Sequence, residues 1–309
     1  MKIGVTGGAG FIGSNLVDSL IEQGHNVFVM DDLSTGFRHN LNPKAGFHEV
    51  DVRDGARLQG IVKAEKPEIL IHHAAQMDVR RSVREPGFDA SVNIVGTLNL
   101  LEAARLNGVR KVNYASTGGA VYGEPTNLPA DESTDVNPIS HYGVSKHTVE
   151  HYLFLYHKLY GLNYTALRYA NIYGPRQTPH GEAGVVAIFG NLLLEGKQCT
   201  IFGKGDKTRD YVFVGDIVRA NLIALTKGDN EIINLGTGVA TTDQEVYDAC
   251  KAAVGANLDP IYGDERLGEV RHISLDATKA RRVLGWKAEM AFRDGVKLTI
   301  DALSAGRAQ

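Results

Sequence analysis

Apolar residues follow two periods along the first half of the chain. Ile3-Gly4-Val5-Thr6 is a short β-rich run, and Ile12, Leu16, Leu20 and Ile21 then recur at helical spacing over residues 11–23, where Gly24 ends the pattern. Val27-Phe28-Val29-Met30-Asp31 reads as a second strand. Further strands are expected at 46–50, 68–72, 111–115 and 163–168, with helical patterns at 56–64, 93–107 and 142–159 between most of them. This alternation predicts an α/β fold, a doubly wound parallel (Rossmann) sheet. Beyond residue 170 the pattern loosens: 168–184 is rich in Pro and Gly, and helical patterns return at 185–195, 216–224, 243–253 and 292–303. The expected organisation is a nucleotide-binding domain over 1–170, with 211–235 returning to it. A smaller mixed α/β substrate-binding domain over 171–309 covers the carboxyl edge of the sheet.

Charge narrows the classes of partner. Lys plus Arg is 33 against 36 Asp plus Glu, a net charge of −3, which argues against a nucleic-acid footprint and against a polybasic membrane patch. No apolar run approaches the ~20 residues that span a bilayer. The first strand is expected so early that no leader segment fits ahead of it. Two cysteines, Cys199 and Cys250, cannot form a disulfide framework, so a reducing, cytoplasmic setting is expected. Glycine is abundant, 35 in 309 residues, against a usual ~7%. The excess sits in short motifs, not in low-complexity stretches.

The first of those motifs is Thr6-Gly7-Gly8-Ala9-Gly10-Phe11-Ile12-Gly13, between the first strand and the first helix. An ordinary tight turn would look the same in isolation. In this position, glycines let the backbone approach a pyrophosphate seated on the amides of the helix N-terminus. Asp31 ends the second strand 21 residues after Gly10, where a carboxylate takes the adenosine ribose hydroxyls and repels a 2′-phosphate; NAD is expected over NADP. Asp51-Val52 would lie beside the adenine, and His73-Ala74-Ala75-Gln76 forms the next loop at the same edge. Either loop alone is simple connection.

Tyr142-Gly143-Val144-Ser145-Lys146 opens a helical pattern, and residues four apart share a face, so phenol and ammonium point into one site. A tyrosine base at pH 7 needs its pKa lowered by ~3 units, about 4 kcal/mol; a lysine ammonium and an oxidised nicotinamide supply positive charge for that. Alone, Tyr-x-x-x-Lys is more often a solvated helix face. Upstream, Ser116-Thr117-Gly118-Gly119 follows a strand end and offers hydroxyls to a substrate oxygen.

Taken together with Asn93, Leu167-Arg168-Tyr169-Ala170-Asn171, Gly181-Glu182-Ala183-Gly184-Val185-Val186, Thr208-Arg209-Asp210-Tyr211 and Asn234-Leu235-Gly236-Thr237-Gly238, the chain resembles the extended short-chain dehydrogenase/reductase family over nearly its whole length. The resemblance implies NAD-dependent inversion at C4 of a UDP-hexose through a transient 4-keto sugar. It makes Tyr142 the base, Lys146 the partner that holds the nicotinamide ribose, and Thr117 the hydroxyl on O4. Relatives place a serine one position later, where this chain has Gly118. The NAD pocket implied comprises Gly7, Gly10, Phe11, Ile12, Gly13, Asp31, Asp32, Leu33, Ser34, Thr35, Gly36, Asp51, Val52, His73, Ala74, Ala75, Gln76, Asn93, Tyr142, Lys146, Tyr169 and Ala170. The UDP-sugar side comprises Thr117, Tyr142, Asn171, Val185, Val186, Thr200, Ile201, Phe202, Arg209, Arg266 and Glu269. Two arginines suit a diphosphate through paired hydrogen bonds; either one alone reads as a surface ion pair. The resemblance also implies a homodimer through helices 93–107 and 142–159.

Other readings fit less well. Family dehydratases carry an Asp-Glu pair after the active-site threonine, and decarboxylases a glutamate in this stretch; here stand Gly118-Gly119, with no glutamate before Glu124. A non-catalytic NAD sensor could shed its Tyr/Lys pair, and both are present. His147-Thr148-Val149-Glu150-His151 matches a metal-protease pattern, but at ~100° per residue its histidines centre about 140° from the Tyr142–Lys146 direction. They are expected to be partly buried helix residues, with no metal. Gly203-Lys204-Gly205-Asp206-Lys207-Thr208 lacks the ending and spacing of a phosphate loop. Trp286 is expected to be a packing residue. No bulky aromatic stands near Ile273-Ser274, the approximate match to the family's size-gating region, so N-acetylated UDP-hexosamines are also expected as substrates.

Overall fold

The computed structural model describes residues 1–179, 184–265 and 270–307. In it β1 (Lys2–Thr6), α1 (Phe11–Glu22), β2 (Asn26–Asp31), β3 (Gly46–Glu49), α2 (Gly55–Glu65) and β4 (Ile69–His72) alternate as the periodicity predicts. Two short helices, α3 (Val79–Arg84) and α4 (Pro86–Ala90), then lead through a π turn at Ser91–Val95 into α5 (Gly96–Leu106). β5 (Lys111–Thr117), the single turn α6 (Gly118–Val121), α7 (His141–Tyr160) and β6 (Asn163–Tyr169) follow. Thus the 93–107 pattern begins as a π turn, which carries Asn93 inward, and β5 runs on through Ser116 and Thr117.

Later come β7 (Asn171–Tyr173), α8 (Val185–Leu194), β8 (Thr200–Phe202), β9 (Thr208–Arg209), β10 (Tyr211–Phe213) and α9 (Val214–Ile223). The chain continues with β11 (Glu231–Leu235), β12 (Thr241–Thr242), α10 (Asp243–Val254), β13 (Ile261–Gly263), α11 (Thr278–Leu284) and α12 (Phe292–Arg307).

Seven strands form one parallel sheet in the order β11-β6-β5-β4-β1-β2-β3. Its central strands β1, β4 and β5 are buried on both faces, so β4 reads as a near-continuous apolar run where a half-exposed strand would alternate, while the edge strand β3 stays partly open. Leu58 and Val62 of α2, Leu100 and Leu101 of α5, and Val149 and Leu153 of α7 cover one face around Val112 and Tyr114. Leu16, Val17 and Leu20 of α1 with Val218 of α9 cover the other around Ile3 and Val5. The chain reverses direction across the sheet between β1 and β4, and the crevice for a ligand opens beyond their carboxyl ends.

After β6 the chain leaves this sheet. β7 pairs in parallel with β10, whereas α9 packs on α1 and β11 joins the large sheet beside β6. The smaller core lies among α8, α10 and α12, around Phe189, Tyr247, Val296 and Ile300, with both cysteines unpaired and buried in it. Trp286 is a packing residue, fully buried, with its indole donating to Asp216 O at 2.8 Å. Among the described residues no helix is long and apolar enough to cross a membrane.

Candidate active site

The glycine turn is built by close approach. Gly7 has φ +69°, and a Cβ there would lie 2.6 Å from Ala74 N; one on Gly13 would lie 2.2 Å from Gly7 O. Only glycine lets α1 start this close to β1 and to the loop after β4. Gly10 occupies the N-cap of α1 without a side-chain cap, and the first turn holds no acidic residue. Its leading amides therefore face the crevice with the positive end of the helix dipole, a seat for an anionic group. Asp31 ends β2 beside this turn, its Oδ2 accepting from Ala9 N and its Oδ1 from Leu33 N, both at 2.9 Å. Burial pushes that carboxyl upward, against these two hydrogen bonds. Gly36 closes over it: a Cβ there would meet Ala9 Cβ at 2.8 Å and Asp31 Oδ1 at 3.0 Å. Asp32 accepts from the Ser34 amide and hydroxyl, with Thr35 in the same 32–36 turn. Asp51 is ion-paired to Arg53, which holds its carboxyl below the usual range, and Val52 is buried. These groups fit a dinucleotide with an unphosphorylated adenosine ribose.

Deeper in the crevice, His73 Nε2 lies 3.0 Å from the Tyr169 hydroxyl, while its Nδ1 is buried without a partner. Gln76 and Asn93 exchange two hydrogen bonds of 2.9 Å, from Gln76 N to Asn93 Oδ1 and from Asn93 Nδ2 to Gln76 O. Burial first, and then the Lys146 charge, pull His72 and His73 down to about 3, so both rings are neutral at physiological pH.

α7 begins where Ser140 accepts from Gly143 N at 3.1 Å, and ends at Gly161 in the left-handed region. Its first turns set Tyr142 and Lys146 on one face: Lys146 Nζ lies 6.0 Å from the Tyr142 ring centroid and 4.8 Å from that of Tyr114. Lys146 is 4% exposed and donates to Ala115 O at 2.9 Å; burial lowers it to about 8. Burial raises Tyr142 to about 12, and its hydrogen bond with Thr117 opposes the rise. Tyr142, Lys146 and Thr117 thus converge at the carboxyl end of β5. Asn171 belongs to the same corner, because a Cβ on Gly119 would lie 3.4 Å from Asn171 Oδ1 and 3.8 Å from Thr117 Oγ1.

Ala170, the last of the residues expected around the cofactor, is partly buried and donates from N to Leu235 O. Val185 and Val186 form the first turn of α8 after Gly184, with Val186 fully buried. Thr200 and Phe202 share the partly open face of β8, while the Ile201 side chain is buried in the small core; only its backbone can meet a ligand. Arg209 donates through Nη1 to Thr208 O at 2.8 Å and Arg271 O at 3.3 Å. Arg266 and Glu269 lie outside the described residues. Ile273 and Ser274 are buried, Ile273 packed with Val121 and Tyr122, so they form no open wall; Leu275 is the residue that reaches Gly118.

The His-x-x-Glu-His stretch builds no metal site among the described residues. His147 Nε2 and His151 Nε2 lie 3.1 Å apart on the outer side of α7, with His147 partly buried and His151 exposed. Glu150 turns inward to Arg168 and Ser116. That buried pair, together with Asp89 and Tyr114, carried no sequence signal, since each owes its place to contacts distant along the chain.

The parallel sheet, the glycine turn with Asp31, and the Tyr–Lys pair at one carboxyl edge define a dinucleotide-dependent enzyme of the short-chain dehydrogenase type. The chain belongs to the NAD dependent epimerase/dehydratase family, whose model matches residues 3–236. It is 49% identical over 307 residues to the UDP-glucose 4-epimerase of Mycolicibacterium smegmatis, covering 97% of this chain and 98% of that one. The UDP-glucose 4-epimerase of Thermotoga maritima, solved with UDP-glucose, superposes with a TM-score of 0.98 at 48% identity, over 99% of this chain and 100% of that chain. The UDP-glucose 4-epimerase of Thermus thermophilus, solved in complex with NAD, gives 0.94 at 42% identity, over 98% of this chain and 99% of that chain.

Proposed function

We infer that this protein interconverts UDP-glucose and UDP-galactose, inverting C4 through a 4-keto sugar with NAD as its cofactor. The convergence of Tyr142, Lys146 and Thr117 beside an NAD-type glycine turn carries this reading. NAD, when bound, supplies a hydride acceptor and donor and a positive charge. Tyr142 takes the proton of the sugar 4-hydroxyl and later returns it to the keto oxygen, while redox balance requires that the hydride taken from C4 be given back to C4. Thr117 holds that oxygen in line. Lys146 contributes the fixed positive charge that favours the phenolate. Asp31, the amides at Gly10–Gly13 and the His73–Gln76 loop hold the dinucleotide; Asn171, Arg209 and the start of α8 hold the UDP-sugar. In this reading residues 1–170, with 211–235, form the NAD-binding domain and 171–309 the nucleotide-sugar domain. The Gly118-Gly119 pair leaves no acid to move protons at C5 or C6, against a dehydratase.

The protein is further proposed to work in the cytoplasm as a homodimer. Val144, Phe154, Leu155 and Leu159 on α7 and Leu106 on α5 are exposed, and this apolar surface supports pairing through those helices.

The test is purified protein incubated with UDP-galactose and no added NAD, the sugars being resolved by chromatography. Conversion to UDP-glucose is expected. No conversion, even with NAD in excess, overturns the reading.

A further inference from the structure

Lys146 poses a charge problem. Among the described residues its buried ammonium makes one hydrogen bond, to Ala115 O at 2.9 Å, and a buried charge needs an opposite charge near it. Among the described residues, six titratable groups interact with it. His72 and His73 at the end of β4 are neutral at physiological pH. Tyr114 and Tyr142 are phenols raised by burial. Two carboxylates remain, Glu150 on α7 itself and Asp89 on α4.

Glu150 is already committed. It accepts from Arg168 at 2.9 and 2.6 Å through both oxygens, and from Ser116 at 2.6 Å, so its charge closes on the guanidinium. Asp89 is different: it is 1% exposed, and its Oδ1 accepts only from neutral amides, Gln76 Nε2 and Asn93 Nδ2, each at 3.0 Å. Asn93 Nδ2 also lies 3.1 Å from Ser145 Oγ, the residue just before Lys146. Arg81, which stacks on the neighbouring Phe88, pairs with Glu85. Pairing Glu150 with Arg168 leaves one buried anion and one buried cation.

We propose that Asp89 is the buried counter-charge of Lys146, a positioning residue that fixes the ammonium at the carboxyl end of β5. The π turn at Ser91–Val95 is part of the device, because it swings Asn93 inward to tie Asp89 to the loop at Gln76 and to α7 at Ser145. Among the groups around Lys146, Asp89 opposes the effect of burial most strongly. The inference rests on the reading of Tyr142 and Lys146 as the acid–base pair, but its first test does not depend on turnover.

That test is a double-mutant cycle read by denaturant unfolding, with Asp89→Asn, Lys146→Met and the double variant. Asparagine keeps the Oδ1 acceptor for Gln76 and Asn93, so a purely structural role predicts additive losses. Charge pairing predicts that each single variant strands a buried charge and that the double variant loses less than the sum. Additivity overturns the proposal, whether or not the wild type proves to be an epimerase. If Asp89→Asn alone fails to fold, recovery of folded protein in the double variant supports the pairing, and failure of both overturns it. The second readout is the alkaline limb of kcat, which should move to lower pH by ~1 unit in Asp89→Asn as Lys146 loses its ammonium more readily. An unmoved limb with a reduced kcat would sink it.

Discussion

Leu275 fills the space that Gly118 leaves. A Cβ built on Gly118 would come within 2.3 Å of Leu275 Cδ1, and Leu275 is buried with Val121, Tyr122 and Ile273 beneath the active-site strand end. Gly118 and Leu275 are therefore packed as a pair, the missing side chain of one making room for the other. Thr117, one residue earlier, takes its position from a strand end held by that leucine.

It follows that Gly118→Ser should overpack the site and cost ~1–3 kcal/mol of stability. Leu275→Ala alone should cost ~2–5 kcal/mol through its cavity. The combined variant should lose less than the two together, because each relieves the other. Chemical denaturation of the three variants measures the coupling, and simple additivity would falsify the interlock.

Tyr142→Phe removes one oxygen and leaves the ring in place. Turnover of UDP-galactose should fall by ~10²–10⁴, the range for loss of a positioned acid–base group. NAD recovered from the denatured protein should match the wild type, since the glycine turn and Asp31 are untouched. A variant that lost NAD as well would show that the phenol holds the cofactor instead of serving as the base.

How far the sequence reached can be judged from particular residues. Gly7, Asp31, Tyr142 and Lys146 were legible because each lies within one strand–turn–helix unit, where period and spacing decide placement. Asp89, Glu150 and Leu275 were not. Gln76 and Asn93 meet only because a π turn, invisible to a period-based reading, rotates Asn93 inward. Arg168 reaches Glu150 across the gap between β6 and α7, and Leu275 reaches Gly118 from the far end of the chain. Ile201 shows the converse: the β8 segment is legible in the sequence, but which of its side chains face the crevice depends on the small core behind it.

Asp31→Asn tests the ribose site. Removing the charge should weaken NAD binding by ~1.5 kcal/mol or more, the worth of a hydrogen bond to a charged group, which is about tenfold in Kd. NADP, no longer repelled at its 2′-phosphate, should lose less affinity or gain some. Titration of cofactor-free protein with both dinucleotides gives the ratio, and an unchanged NAD preference would remove Asp31 from the discriminating role.

Glu150 makes a prediction about acid. Burial alone would raise this carboxyl, but hydrogen bonds from Arg168, His147 and Ser116 outweigh burial and hold it at about 2, against 4.5 for a free glutamate. The folded state therefore binds the proton less readily than the unfolded chain. Its contribution to stability is complete above pH 4.5 and is lost as pH falls through about 2. Glu150→Gln strands the Arg168 guanidinium and turns an amide toward its donors, so at neutral pH the variant should be less stable by ~3–5 kcal/mol. The gap between wild type and variant should then narrow steadily as pH drops below 4.5, because protonation removes from the wild type the charge that the variant never had. Urea unfolding of both proteins between pH 7 and pH 3 reads the gap directly. A gap that stayed constant over that range would mean that glutamine disturbs packing, and that the ion pair is not what holds α7 to β6.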